Sequence, residues 1–504
     1  MRKLLLASIF LLGAISGRSA SILVPMDETQ TNHLRAYGIA YGVLAHNGQA
    51  QWLLNYRGGS FLFDYTKEDE AACLEKGVRF EVLPEVMSKS ILDEIALGKS
   101  NMSAVNMQRV PKIAVYAPAV KEVWDDAVIS VLQYADIPFD IIYDKEVMQG
   151  VLEKYDWLHL HHEDFTGQYG RFYAGFRSAQ WYTDDVAASE AAAKDLGFTK
   201  VSHLKLAVAK RMKNFIGGGG FLFAMCTATD SYDIALAAEG TDICASMFDG
   251  DAADSTAQSK LQFGNCLAFE NFRLKTNPNE YEFSTIDTYG TRPMRGVTER
   301  NDYFQLNSYM AASDPVLAML TQNHVTNIKG FWGATAGFDL QYIKKDVTVM
   351  GTNALAREAR YIHGNYGKGM WTYYSGHDPE HYQHRTGDAP SDLSKSPNSP
   401  GYRLILNNIL FPSTRSAEES VSAFSAYPNP ATTQMNIAYE IPSGAVDAQL
   451  SIFDANGKLV SKEQLASDKG TLVIDVSGYA PGNYIWRIES NSGMLHNDKF
   501  SVVR

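Results

Sequence analysis

Gly217-Gly218-Gly219-Gly220-Phe221-Leu222-Phe223-Ala224-Met225-Cys226-Thr227-Ala228-Thr229-Asp230 is the stretch on which the fold turns. Its five-residue apolar run, Phe221–Met225, shows no alternation, which is the pattern of a strand buried on both faces. The glycines precede the strand and no Lys-Ser/Thr follows, so they read as a helix ending rather than a phosphate cradle. After Met225 the chain turns at once towards a helix that takes in Tyr232–Ala238. Cys226 therefore falls at a strand-to-helix corner, with small residues, Ala224 and Ala228, two places to either side. Such a corner exposes the sulfur and aims the Thr227 amide where an oxyanion would form. The helix start is expected to lower the thiol pKa. A buried structural cysteine at a strand end is the alternative.

Strand–helix alternation extends outward from this corner. Ile113–Tyr116, Phe139–Tyr143 and Asp156–His161 read as strands, Glu122–Ala135 as a helix, and Ala187–Ile216 as helical. Residues 240–325 are less periodic and read as an insertion of loops and short strands. Val347–Gly351 and Gly369–Tyr374 close the sheet, and Tyr402–Leu410 is the final helix. Repeated strand–helix units predict an α/β core, 109–412, built on a parallel sheet covered on both faces. Residues 21–108 form an N-terminal α/β region. Its strands are Ile22–Pro25, Gln51–Tyr56, Ser60–Phe63 and Arg79–Leu83, and its helices Gln30–Leu44 and Lys67–Lys76.

The N-terminus carries an export pattern. Arg2 and Lys3 precede an apolar run from Leu4 to Ile15, then small residues at Gly17, Ser19 and Ala20. Residues 1–20 thus read as a signal peptide cut after Ser19 or Ala20, too short for a lasting span. No other segment is long and apolar enough to cross a bilayer, so a soluble, exported mature protein without a transmembrane segment is expected. The 504 residues suggest about three domains. A net charge of −12 with no dense basic block argues against nucleic acid as a partner. Four cysteines are too few for a disulfide framework. Cys244 and Cys266 are the candidate pair, leaving Cys73 and Cys226 free.

After a polar linker, 413–425, the chain from Ala426 runs Tyr-Pro-Asn-Pro-Ala and then alternates in short strands. Met435–Ile441, Gln449–Phe453, Thr471–Val476, Ile485–Ile488 and Lys499–Val503 are separated by turns at Asn456-Gly457 and Gly482-Asn483. This predicts a small antiparallel all-β sandwich over 426–504. The order of these motifs resembles the C-terminal sorting domain (type A) of the Bacteroidetes type IX secretion system. The resemblance implies the type IX machinery as a partner and passage through the periplasm to secretion or the cell surface.

Two further constellations sit at predicted strand ends, where open α/β sheets place their sites. Ser375-Gly376-His377-Asp378-Pro379-Glu380-His381 follows Gly369–Tyr374 and offers an imidazole base with carboxylates close in sequence. His159-Leu160-His161-His162-Glu163-Asp164 ends another strand. Six of the twelve histidines lie in these two segments or at His384. His161, His162, Glu163 and Thr227 are expected to contact substrate, with no metal required. The alternative is a divalent metal such as Zn held by His161, His162, Glu163, His377 and His381. The aromatic stretch Tyr169–Tyr173, with Phe176, Trp181 and Tyr182, reads as a lid, a carbohydrate-facing surface or plain packing.

Residues Asn365–Tyr374, Gly376-His377-Asp378-Pro379-Glu380 and Tyr402–Leu410 resemble the end of ThuA-like proteins of the class I glutamine amidotransferase-like superfamily. The resemblance implies a flavodoxin-like core and a Cys-His-carboxylate hydrolase, with Cys226 as nucleophile and His377 as base. The corner has alanines where the amidotransferases have glycines. Asp378 separates His377 from Pro379-Glu380, so either Asp378 or Glu380 is the orienting acid. Relatives of this architecture look like proteins labelled asparagine synthetase B. That chemistry is not supported, because Arg2 follows Met1 and no Ser-Gly-Gly-x-Asp-Ser loop occurs. The expectation is an exported Cys-dependent amide hydrolase. Its alternatives are a non-catalytic protein binding a glycan, peptide or small molecule, and a metal-dependent hydrolase.

Overall fold

The computed structural model describes residues 20–118, 126–415, 424–428, 430–441, 447–455, 457–465, 469–491 and 493–503. The signal segment up to residue 19, the predicted helix start at 122–125, linker residues 416–423 and Asn456 lie outside the described residues.

A ten-stranded sheet frames the middle of the chain. Gly369–Tyr374, Phe221–Met225, Trp157–Leu160, Ile113–Tyr116 and Asp140–Ile142 lie side by side in that order and run parallel. The three central strands are buried at every residue, as the apolar runs Ile113–Tyr116 and Phe221–Met225 require, and His159 is the one polar residue among them. Successive side chains enter opposite cores. Phe221, Phe223 and Met225 pack with helices His33–Ala45, Ala127–Tyr134 and Pro400–Leu410. Leu222 and Ala224 pack with helices Val201–Gly217 and Thr227–Ala237.

The sheet is mixed rather than parallel throughout. Beyond Gly369–Tyr374 it continues antiparallel through Glu358–Tyr366, Thr348–Asn353, Tyr303–Leu306 and Asn327–Lys329. The reason lies in a two-residue turn. Tyr366 pairs with Gly369, and Gly367 between them takes φ 59°, which suits the tight antiparallel return that a parallel crossover cannot use. Tyr303–Leu306 and Asn327–Lys329 come from or directly follow the segment read as an insertion.

Residues 20–107 build a separate five-stranded antiparallel sheet in the order Glu81–Pro84, Ala20–Val24, Ser60–Asp64, Ala50–Leu54, Ser103–Met107. It joins the larger sheet through a shared core, with helix His33–Ala45 between them. Arg403 of the last core helix donates from Nε to Tyr37 Oη (3.0 Å) and from Nη1 to Met26 O (2.9 Å). Gly38 faces the end of helix Ala127–Tyr134, and a Cβ there would lie 1.8 Å from the Ala135 carbonyl oxygen. Gly→Ala inside a helix ordinarily gains up to ~1 kcal/mol. Against fixed backbone the sign reverses, and Gly38→Ala is expected to cost about 1–3 kcal/mol, read as a lower urea midpoint at unchanged slope.

The tail forms two antiparallel layers. One holds Phe424–Tyr427, Gln434–Glu440 and Lys469–Asp475, and the other Leu459–Gln464, Gln449–Asp454, Gly482–Ser490 and Gly493–Val502. They enclose a core of their own around Met435, Ile437, Leu450, Ile452, Trp486 and Phe500. Tyr427 reaches outside it, donating to Asn214 O at 2.6 Å.

All four cysteines are free and buried. The expected Cys244–Cys266 bridge is not made, because the two thiols donate to different carbonyls, Thr166 O (3.2 Å) and Asp233 O (3.3 Å).

Candidate functional site

Three adjacent parallel strands end at the same edge, and each delivers one part of a cluster. Cys226 follows the middle strand, His161 and His162 follow Trp157–Leu160 on one side, and His377 follows Gly369–Tyr374 on the other. Cys226 takes φ 50°, ψ −136° as it enters helix Thr227–Ala237. For an L-residue with a Cβ this conformation is strained, and strain of that kind collects at functional sites. The corner is held by its neighbours. Ala228 N donates to His161 O (3.1 Å) and Thr229 Oγ1 to Cys226 O (2.7 Å). Gly333 lets the histidine loop approach, since a Cβ there would lie 2.8 Å from His377 Cβ.

One ligand-type atom from each of His161, His162, Cys226 and His377 lies within 4.8 Å of the others. The ring centroids of His161 and His162 are 3.8 Å apart, those of His162 and His377 4.4 Å, and those of His161 and His377 4.9 Å. His384 extends the stack, 4.5 Å from His377, and shares a 3.0 Å Nδ1–Nδ1 contact with His381. A cavity of about 400 Å³ opens onto His162, Cys226, His377 and His384, walled by Phe172, Phe176, Tyr281 and Arg385, while His161 lies buried behind it. The aromatic stretch thus contributes Phe172 and Phe176 to the site, while Trp181 and Tyr182 pack behind them.

Electrostatics differ from the expectation at two points. Burial pushes the Cys226 thiol up to about 12, although hydrogen bonds from the Thr227 hydroxyl and amide pull the other way. The lowered pKa expected from the helix start is therefore not found, because desolvation of a thiolate outweighs one helix terminus. His377 is held well below its ordinary value by burial and by His162, His161 and His384, so its ring is neutral with a lone pair to offer.

The acids also fall elsewhere. Asp378 accepts the backbone amides of Glu380 (2.8 Å) and His381 (3.2 Å) on Oδ1, and the Glu380 carboxylate faces Ser399 and Ser396. Neither holds the His377 ring, whose Nε2 is buried without a hydrogen-bond partner. Glu163 turns back to accept the amide of His161 at 2.9 Å, and burial raises it to about 7, so it shapes the turn rather than the cavity. The carboxylate behind the imidazoles is Asp126, which lies 3.2 Å from His161 Nδ1 and 3.2 Å from His159 Nε2. Its own Oδ1 accepts the amides of Val128 and Ile129, which starts helix Ala127–Tyr134. An aspartate before an apolar helical run is an N-cap signal, and reading it at Asp126 would have pointed here. Of the residues named for the metal alternative, His161, His162 and His377 converge, whereas Glu163 and His381 stand outside the group and Cys226 enters it.

Residues 425–502 match the family described as "Secretion system C-terminal sorting domain". No curated protein matches the chain. Among solved structures, similarity is found to CopC from Methylosinus trichosporium OB3b, at 20% identity over 15% of this chain and 82% of that one, TM-score 0.12. A cytoplasmic protein from Salmonella typhimurium is similar at 8% identity over 60% and 97%, TM-score 0.27. A β-galactosidase from Bacillus circulans sp. alkalophilus is similar at 9% identity over 72% and 41%, TM-score 0.23. Scores this low carry no argument about the core. The matched tail marks an exported or cell-surface protein, and no helix among the described residues is long and apolar enough to cross a membrane.

Proposed function

We propose that this chain uses a type IX sorting tail to deliver an amidotransferase-like core to the cell exterior, where Cys226 hydrolyses amide or related acyl bonds. The observation that carries the reading is the strained φ of Cys226 at a strand-to-helix corner, with a neutral imidazole beside the sulfur and a cavity in front of it. In this reading His377 accepts the thiol proton as sulfur attacks the carbonyl carbon, and the Thr227 amide faces the oxyanion. The imidazolium then protonates the departing amine, and water activated by the same imidazole hydrolyses the thioester.

The four cysteines supply the test. In folded protein kept with a chelator, iodoacetamide is expected to label Cys226 well ahead of Cys73, whose thiol burial also raises to about 12. His377→Ala is expected to slow that labelling, and any amide hydrolysis, by ~10²–10⁴-fold. Equal sluggishness at Cys226 and Cys73 by peptide mass spectrometry would remove the reading.

A further inference from the structure

We propose that His161, His162, Cys226 and His377 bind one thiophilic divalent transition-metal ion of the Zn2+ class, with Asp126 as the supporting carboxylate. Three imidazoles and one thiol are a donor set that such ions favour in four-coordinate sites. The four atoms already lie within 4.8 Å of one another. Tetrahedral bonds of ~2.0–2.3 Å imply ligand–ligand edges of roughly 3.3–3.8 Å, so closure by about 1 Å completes the site.

Two further observations point to a ligand. His161 is fully buried and its Nε2 has no hydrogen-bond partner, and His377 Nε2 is likewise buried and unpartnered. An unmet buried polar atom costs about 1–3 kcal/mol, and here three of them, both ring nitrogens of His161 and Nε2 of His377, belong to a single cluster. Asp126 stands 3.2 Å from His161 Nδ1, leaving Nε2 for an ion. Once the ring turns so that Nδ1, itself unpartnered, donates to that acid, this becomes the carboxylate–histidine–metal arrangement in which the acid sets the tautomer and strengthens the ligand.

A bound ion would take the sulfur as thiolate, releasing its proton to solvent, and would cover Cys226 against alkylation and substrate. This masking rests on the hydrolase reading; the binding itself does not. The full exported chain, stripped with chelator, is titrated with Co2+. One equivalent is expected to produce thiolate-to-metal absorption in the near ultraviolet and tetrahedral d–d bands, both abolished by one equivalent of Zn2+.

Cys226→Ser, nearly isosteric, is expected to lose the near-ultraviolet band. Asp126→Asn is expected to weaken binding by ~10–100-fold with the spectrum unchanged. Near-ultraviolet circular dichroism of each stripped variant shows whether it is folded, and Cys226→Ser carries the test if Asp126→Asn is not. No saturable absorption at one equivalent, or a spectrum indifferent to Cys226→Ser, overturns the site. Stoichiometric metal with a stripped Cys226 no more reactive than Cys73 leaves the site standing and removes only the hydrolase.

Discussion

Arg360→Ala is expected to lower the unfolding free energy by about 3–5 kcal/mol, the range for breaking a buried charge pair from one side. Arg292, Asp302, Glu358 and Arg360 are each fully buried and form a closed set of two cations and two anions. Arg360 Nη1 lies 3.5 Å from Asp302 Oδ1 and 3.4 Å from Glu358 Oε1, and Arg292 pairs with the same two acids. Removing one guanidinium leaves two carboxylates against one cation in a dry interior. It also removes the donors that Nε and Nη2 offer to Ser375 Oγ and Phe331 O at 2.8 and 2.7 Å, leaving Phe331 O only the longer bond from Arg292 Nη1 at 3.5 Å. Arg360→Lys is not expected to rescue, since an ammonium cannot reach four partners spread around a planar fork. Arg360→Met with Glu358→Gln is expected to cost less than the two changes summed, which urea unfolding as a double-mutant cycle measures. Ser375 stands two residues before His377, so the single variant is also expected to slow Cys226 labelling below the denaturation midpoint.

The same four charges explain why one central strand was invisible beforehand. Glu358-Ala359-Arg360-Tyr361-Ile362-His363-Gly364 is fully buried, yet its charges break the apolar run that marks a buried strand. The pairing that makes them tolerable comes from Arg292 and Asp302, more than fifty residues away. Strands 113–116, 221–225 and 369–374 were legible because their burial needs no such partner, and 157–160 because a single histidine, His159, interrupts its apolar residues. With Glu358–Tyr366 unread, the antiparallel half of the sheet was lost, and the core looked parallel.

The site was legible where chemistry sits directly after an apolar strand, as at His161, His162, Cys226 and His377. It was misread where nearness in sequence stood in for nearness in space. Asp378 and Glu380 follow His377 along the chain, but Asp378 is captured by the turn's own amides and Glu380 by Ser399 and Ser396. Asp126 serves the imidazoles from ten residues beyond its strand. The thiol was misjudged for a different reason. A helix start can be read from sequence, whereas the burial of the sulfur depends on side chains distant in sequence, such as Tyr281 and His377, that line the cavity with it.

His363 gives the clearest dependence on pH, because it lies away from the cluster. It is buried in strand Glu358–Tyr366, with Nδ1 3.2 Å from Thr372 Oγ1, and burial lowers it from its ordinary value to about 4, helped by Arg415. Its folded pKa lies below its unfolded one, so between pH 6.5 and 4 the unfolded chain binds the extra proton. The stability tied to the neutral ring is complete above 6.5 and is lost as pH falls through that window. At about 1.4 kcal/mol per tenfold change in proton affinity, the loss approaches ~3 kcal/mol. Total stability will not trace this curve, because Glu163 and Asp287, both raised to about 7, take up protons in the folded state and act in the opposite sense. The difference between wild type and His363→Gln isolates it, since glutamine keeps a partner for Thr372 and cannot titrate. The variant is expected to gain up to ~3 kcal/mol on the wild type between pH 6.5 and 4 in parallel urea unfolding. A constant difference across that range would mean that His363 is protonated inside the fold, with water or a counter-charge reaching a ring that the packing encloses.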